Sequence, residues 1–280
     1  MKQVFRFCVI AFIMAALILA SASAETYTFI EGSNGTKDVE GPQCLVDGNV
    51  STKWCRKMNG ECYIIFKAQK PISINGYMLI KANDDEKFPA RTPLQWTFYG
   101  ANAKSAPKKT DKKAWQVIDK HDPQRDASMG DSGNWNSYAF IQKETVPEYE
   151  YFMLVINSTL GDKYMQLSEL RLISGNAVDV PIIVKENAEK AVVAMGELQY
   201  DDAVFSKPSS GGVASNKLIL SGKLLNPIKK ADEVTIRLKL KKGEEWPKST
   251  NVSVKILSAY DINEASVKKP KYAQLYINSK

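Results

Sequence analysis

Three groups of residues in this sequence have types and spacings that could do chemistry. Asn83, Asp84 and Arg91 fall within one segment, KANDDEKFPARTPLQW (81–96). A planar guanidinium offers a fork of donors that suits paired hydroxyls or a carboxylate. The same residues could instead be spent internally, an Asp84–Arg91 salt bridge shaping the loop. Trp135 lies in a polar stretch, GDSGNWNSY, with no evident core to fill. A loop aromatic of this kind is a platform for stacking on a sugar ring or a protein side chain, unless it folds back over the edge of the core. Between Gly100 and Trp115 stand Lys104, Lys108, Lys109, Lys112 and Lys113. They could contact an anion, or form a mobile, solvated run. No aromatics interleave with them, which argues against nucleic acid.

Catalytic chemistry finds little support. The one histidine, His121, lies in a polar loop, KHDPQRD, and no G-x-S-x-G elbow accompanies it. Asp84 and Asp85 are adjacent carboxylates without a glycosidase-like context. The expectation is a non-enzymatic protein.

The start of the chain reads as an export signal. Lys2 and Arg6 precede an apolar run, Val9–Ala20, and an A-x-A site at Ala22-Ser23-Ala24, the pattern of a cleaved signal peptide over 1–24. The run is shorter than the roughly 20 residues a membrane span needs, and Cys8 precedes the apolar core, which argues against lipidation. No later segment is apolar enough to span a bilayer, so a secreted or periplasmic protein is expected. Export permits a disulfide. Cys55 and Cys62 flank a hairpin-like run, RKMNGE, and a bridge between them is expected; Cys44 is then a buried thiol, or the true partner of Cys55. The three cysteines left after cleavage, without C-x-x-C, and a lone histidine argue against zinc.

The elements that must position these residues are strands. CYIIF (62–66), SINGYMLIK (73–81), WTFYG (96–100), WQVID (115–119), YAFI (138–141), YFMLVI (151–156) and LSELRLI (167–173) are short runs between turn signals, the texture of an all-β sandwich. Trp96 and Phe98 share a face, and so, by alternation, would Trp115, Val117 and Asp119. SGNAVDV (174–180) marks a domain boundary, giving domains at 25–174 and 175–280. The second has strand-like runs at 181–185, 191–200, 217–225, 233–240, 251–257 and 272–277, with a short helix expected over 186–193. EVTIRLKL places Val234, Ile236, Leu238 and Leu240 on one face. Residues 25–174 carry 19 basic and 19 acidic side chains, and residues 175–280 carry 17 and 12. Such an excess usually marks a solvated surface, and a polyanion such as an acidic glycan or cell envelope is the sharper alternative.

LVDGNVSTKW (45–54), followed much later by QLSEL (166–170), resembles the two ends of a discoidin, or coagulation factor V/VIII C-type, sandwich. The resemblance covers about residues 38–174. It implies an all-β fold: an N-terminal galactose-binding-like jelly-roll β-sandwich, followed here by a second, smaller β-sandwich that resembles no family in particular. It implies that Trp54 plugs the core, and that calcium pins the first and last strands through Asp47, Asn49, Thr52, Glu169 and the carbonyl of Leu45. Calcium takes six to eight hard oxygens, which such a set could supply. The run from Ala82 through PARTP to WTFYG is similar to a sugar-binding branch, in which Asn83, Asp84 and Arg91 would clamp hydroxyls while Trp135 stacks. The lysine-rich loop departs from the family, which usually has a short turn there. The resemblance thus implies a carbohydrate-binding protein, favouring galactose-like or amino sugars. The alternative is an adhesive scaffold that docks a cell-surface protein on the same surface. The N-x-S/T triplets at Asn34, Asn49, Asn157 and Asn251 would matter only in a glycosylating host, and a glycan on Asn49 would conflict with metal.

Overall fold

The computed structural model describes residues 27–280 apart from 131, 143, 211–212 and 223–225; the expected signal peptide, 1–24, lies outside the described residues. The chain divides into two units. Of the described residues, one holds 27–177 together with 246–250 and 275–280; the other holds 178–245 and 251–274. This differs from a single cut at 174. The last strand returns to the first unit.

The strands that open the first unit are β1 (Tyr27–Gly32), β2 (Trp54–Lys57), β3 (Cys62–Ile72), β4 (Gly76–Ile80), β5 (Pro93–Ala101), β6 (Gln116–His121), β7 (Ser137–Ile141), β8 (Tyr149–Thr159), β9 (Tyr164–Leu167) and β10 (Glu169–Ile173). One sheet runs β1-β3-β8-β5-β6, and β10-β4-β7 run together in another. Their facing side chains make the core. Phe66, Phe98 and Phe152 stack on one side, with Phe66 and Phe152 5.6 Å apart, and Tyr77 and Phe140 come from the other, Tyr77 4.6 Å from Phe98. Trp54 is fully buried among them. Burying one such large apolar side chain is worth about 1.5–3 kcal/mol. YFMLVI shows no alternation because β8 is covered twice. Phe152, Leu154 and Ile156 face the core, while Tyr151, Met153 and Val155 lie in a second cluster with Trp115, from the loop between β5 and β6.

A bulge corrects the expected face of β6. Phe98 pairs with Asp119 but Tyr99 pairs with Val117, so Ile118 is an extra residue. Val117 is 61 % exposed while Asp119 turns inward.

The second unit contains β11 (Ala177–Glu186), β12 (Val193–Gln199), β13 (Ser209–Ser210), β14 (Val213–Ala214), β15 (Lys217–Ser221), β16 (Glu233–Lys239), β17 (Ser249–Tyr260) and β18 (Lys271–Tyr272), β11 and β17 each having an end in the first unit. The orders β17-β12-β15 and β16-β11-β18 are those of a small sandwich. Ile236, Leu238 and Leu240 are buried on their expected face. The short helix expected over 186–193 is absent. Those residues form the end of β11 and a turn with Lys190 at φ 70°.

The run 272–277 also proves to be two strands in two sheets. β19 (Leu275–Ser279) leaves the second unit and pairs in parallel with β7, Leu275 opposite Ser137 through Ser279 opposite Ile141. Tyr276 stacks on Tyr138 at 4.8 Å. Ser279 Oγ donates to the carbonyls of Trp246 and Pro247, and its N–H to that of Lys248.

Candidate functional site

The loop joining β4 to β5 is built around a buried ion pair. Lys81 Nζ lies 3.1 Å from Asp85 Oδ2, both side chains 1 % exposed. Asp85 also accepts the Thr92 hydroxyl at 2.9 Å and the Gly133 N–H at 3.0 Å. A buried charge is tolerated only when paired and hydrogen-bonded, and these contacts tie the β4–β5 loop to residues 133–136. Asn134 Oδ1 accepts the Glu86 N–H, and the Trp135 N–H reaches the Ala82 carbonyl. Trp135 is 1 % exposed, takes a left-handed backbone (φ 57°), and donates its indole N–H to the Val50 carbonyl at 2.6 Å. It therefore folds back, and the expectation that it stacks on a ligand is corrected. The polar residues around it bond the neighbouring loop, leaving the indole free to fill the core.

On this scaffold sit the other expected residues. Arg91 closes a single 3-10 turn, Pro89–Arg91, with its guanidinium carbon 3.8 Å from the Phe88 ring centroid and 5.1 Å from that of Tyr164. Its Nε donates to Asp162 at 3.2 Å; its terminal nitrogens make no hydrogen bond among the described residues. The alternative Asp84–Arg91 bridge does not form. Asp84 pairs with Lys53 at 2.6 Å, and Lys53 lies 3.5 Å from Gln166 Oε1. Asn83 donates to the Ser51 carbonyl at 2.9 Å. Phe88 is 37 % exposed. Phe88, Tyr164, Asp162 and Lys53 were not singled out from the sequence. Only Phe88, an aromatic in the polar run before PARTP, left a readable signal; the others lie far away in the chain.

The Asp47 loop closes on itself. Asp47 Oδ1 accepts the Asn49 N–H and Oδ2 the Thr52 hydroxyl; Asn49 Oδ1 accepts the Ser51 N–H. Glu169 is buried on β10 whereas Asp47 is exposed. The side-chain oxygens of Asp47, Asn49 and Thr52 are engaged inside the turn, and a calcium ion, which takes six to eight hard oxygens, would have to share them. Among the described residues no group of three or more histidines, cysteines or acids stands ready for a metal.

The expected Cys55–Cys62 bridge is also corrected, since Cys44, Cys55 and Cys62 are all free and buried. Cys55 lies on β2, opposite Gln166, while Cys62 enters the core with its Sγ 3.4 Å from Met58 Sδ. Burial pushes the Cys62 thiol up to about 12, so it is inert rather than nucleophilic.

A second polar cluster lies beneath β6. Trp96 Nε1 donates to Tyr77 Oη, which donates to Asp119 at 2.5 Å. Lys280 Nζ bridges Asp119 (2.5 Å) and Asp126 (2.9 Å). His121 stacks on Trp96 at 3.6 Å, fully buried, and neither ring nitrogen has a hydrogen-bond partner among the described residues. Burial holds its pKa down at about 4, against the nearby Asp126 carboxylate that favours the charged form. This neutral imidazole packs against Trp96 and edge-on to Phe140, with ring centroids 3.6 and 5.0 Å away.

The two facing sheets define the first unit. It is a β-sandwich. No protein-family model matches the sequence, and no curated protein matches it. Among solved structures, it is similar to the family 32 carbohydrate-binding module from Streptococcus pneumoniae EndoD, at 12 % identity and a TM-score of 0.40, over 54 % of this chain and 98 % of that one. It is also similar to an F5/8 type C domain from Bacteroides fragilis, at 14 % identity and a TM-score of 0.39, over 53 % and 97 %. A third is reduced XRCC1 bound to the DNA pol beta catalytic domain, at 10 % and 0.40, over 54 % and 98 %. These are likenesses of fold, and a fold does not decide a ligand. Among the described residues no helix is long and apolar enough to cross a membrane.

Proposed function

We propose that the first unit is a non-catalytic carbohydrate-binding module of an exported protein, and that it binds sugar at the end formed by residues 81–92 and 159–164. Arg91 carries this reading. Its guanidinium is held over Phe88 and tied through Nε to Asp162, so its terminal nitrogens are held in place before a ligand arrives. Pre-organised donors beside a half-exposed aromatic suit a sugar, which offers an apolar ring face and paired hydroxyls. Asn83 and Asp84 add polar groups on the same loop, and Lys53, paired with Asp84, adds one from a neighbouring loop. The ligand class is galactose-like or amino sugars, following the sequence resemblance. Few directed bonds and one ring contact give weak single-site affinity.

The test is a glycan array probed with the whole mature chain, followed by calorimetry with Arg91→Ala and Phe88→Ala. Specific binding lost in both variants is the expected result. A folded protein that ignores every glycan would overturn it and leave protein docking as the use of this surface.

A further inference from the structure

The lysine-rich loop is not the loose, solvated run that its composition suggests. Residues 102–115 leave β5, lie over the outward face of the five-stranded sheet, and return as β6. Trp115 is buried there with Ile65, Tyr151, Met153 and Val155, and Ala106 packs on the same cluster. The Trp115 indole N–H donates to the Lys108 carbonyl at 3.0 Å. The Asp111 carboxylate accepts the Lys108 N–H at 3.0 Å, and the Asp111 and Ala114 amides close turns onto Lys108 and Asp111. At its base, Asn102 holds the Glu148 carbonyl and the Glu150 N–H. Lys109 is used internally, paired with Glu61 and 4.9 Å from the Tyr63 ring centroid.

The other four lysines are different. Lys104, Lys108, Lys112 and Lys113 are exposed and make no ion pair among the described residues. The one carboxylate in the loop, Asp111, is turned back onto its own backbone. Residues 25–174 are balanced in charge as a whole, so the four lysines are a local excess on a loop whose backbone is held in place. Like charges held close repel one another, and a ligand that neutralises several at once removes that repulsion.

We propose that this loop binds a linear anionic polysaccharide, independently of the sugar site at Arg91. Lysine ammoniums are hydrated point charges without the planar fork that reads one carboxylate. Four of them on one loop suit a chain with regularly spaced carboxylates or sulfates, bound through many weak, salt-sensitive contacts. Single-stranded nucleic acid lacks its stacking platform here: Trp115 is buried and Tyr63 lies beneath Lys109.

The experiment uses the whole mature chain on immobilised polygalacturonate, for carboxylates, and on heparin, for sulfates, with salt elution and calorimetry. The Lys104, Lys108, Lys112 and Lys113→Gln quadruple variant is compared with a control of equal charge loss in the second unit, Lys207, Lys217, Lys239 and Lys255→Gln. Circular dichroism and melting confirm that each is folded. The expected result is retention at about 0.1 M salt, at least tenfold weaker binding in the loop variant, and less than twofold change in the control. Arg91→Ala should retain polyanion binding, which separates failure of this proposal from failure of the sugar site. Equal losses in both quadruple variants would reduce the effect to net charge and overturn the proposal. So would absence of retention, or wild-type binding only to anionic vesicles or single-stranded DNA.

Discussion

Two lysine–aspartate clusters of the first unit, one around Lys81 and one around Lys280, work differently. Lys81 and Asp85 are four residues apart, both buried, and Asp85 is satisfied by a hydroxyl and a backbone amide as well. Lys280 reaches Asp119 and Asp126 from the far end of the sequence and stays partly exposed. Beside it His121 is buried without a hydrogen bond among the described residues, its Nδ1 3.9 Å from Asp126. The local pair shapes a loop that carries the candidate sugar site. The distant one fastens a strand. A short-range buried charge pair reports on loop shape, and a long-range one on how the fold closes.

The largest effect should come from breaking the local pair. Asp85→Ala leaves Lys81 charged in the core, an error costing about 3–5 kcal/mol. Chemical denaturation would measure it, and a loss below about 1 kcal/mol would erase the contrast between the clusters. Next is the pH response of the distant cluster. His121 titrates near 4 when folded and near its ordinary 6.5 when unfolded, so between those values the unfolded chain takes up a proton that the folded chain refuses. Its contribution is complete above about pH 6.5 and declines as pH falls toward 4, by on the order of 3 kcal/mol. His121→Phe should flatten that part of the stability profile, and an unchanged slope would place the proton elsewhere. The smallest effect belongs to Lys280→Ala. Its ammonium is partly exposed and screened, so about 1–2 kcal/mol should be lost, and hydrogen exchange should accelerate at β7 and β19 before the rest of the sandwich. Uniform acceleration would deny Lys280 its fastening role.

The strands of the first unit were legible because their apolar runs are short and bounded by turn residues. Trp96 and Phe98 share the core face as alternation demands. The reading failed where a residue's fate is set by something distant in the chain. A bulge opposite Tyr99 separates Val117 from Asp119. Trp135 looked exposed because its neighbours are polar, yet those neighbours bond the 81–92 loop and leave the indole to fill the core. Hairpin spacing suggested a Cys55–Cys62 bridge, but β2 pairs with β9 rather than β3, so their proximity in sequence brought no bond. Of the candidate site, Asn83, Asp84 and Arg91 do lie on one loop. Their partners Ser51, Lys53 and Asp162 come from other loops, and local sequence carries no sign of them.

The return of β19 to β7 has a consequence for how the chain is made. A polypeptide emerges from its N-terminus onward, so the unit whose strands appear first is the last to be complete. Until residues 275–279 arrive, the outer edge of β7 lacks the neighbour that finally pairs with it, and an unpaired edge is a template for any passing strand. In sequence the second unit is inserted between the body of the first and its last strand, so closure of the first waits until residues 275–279 have been made.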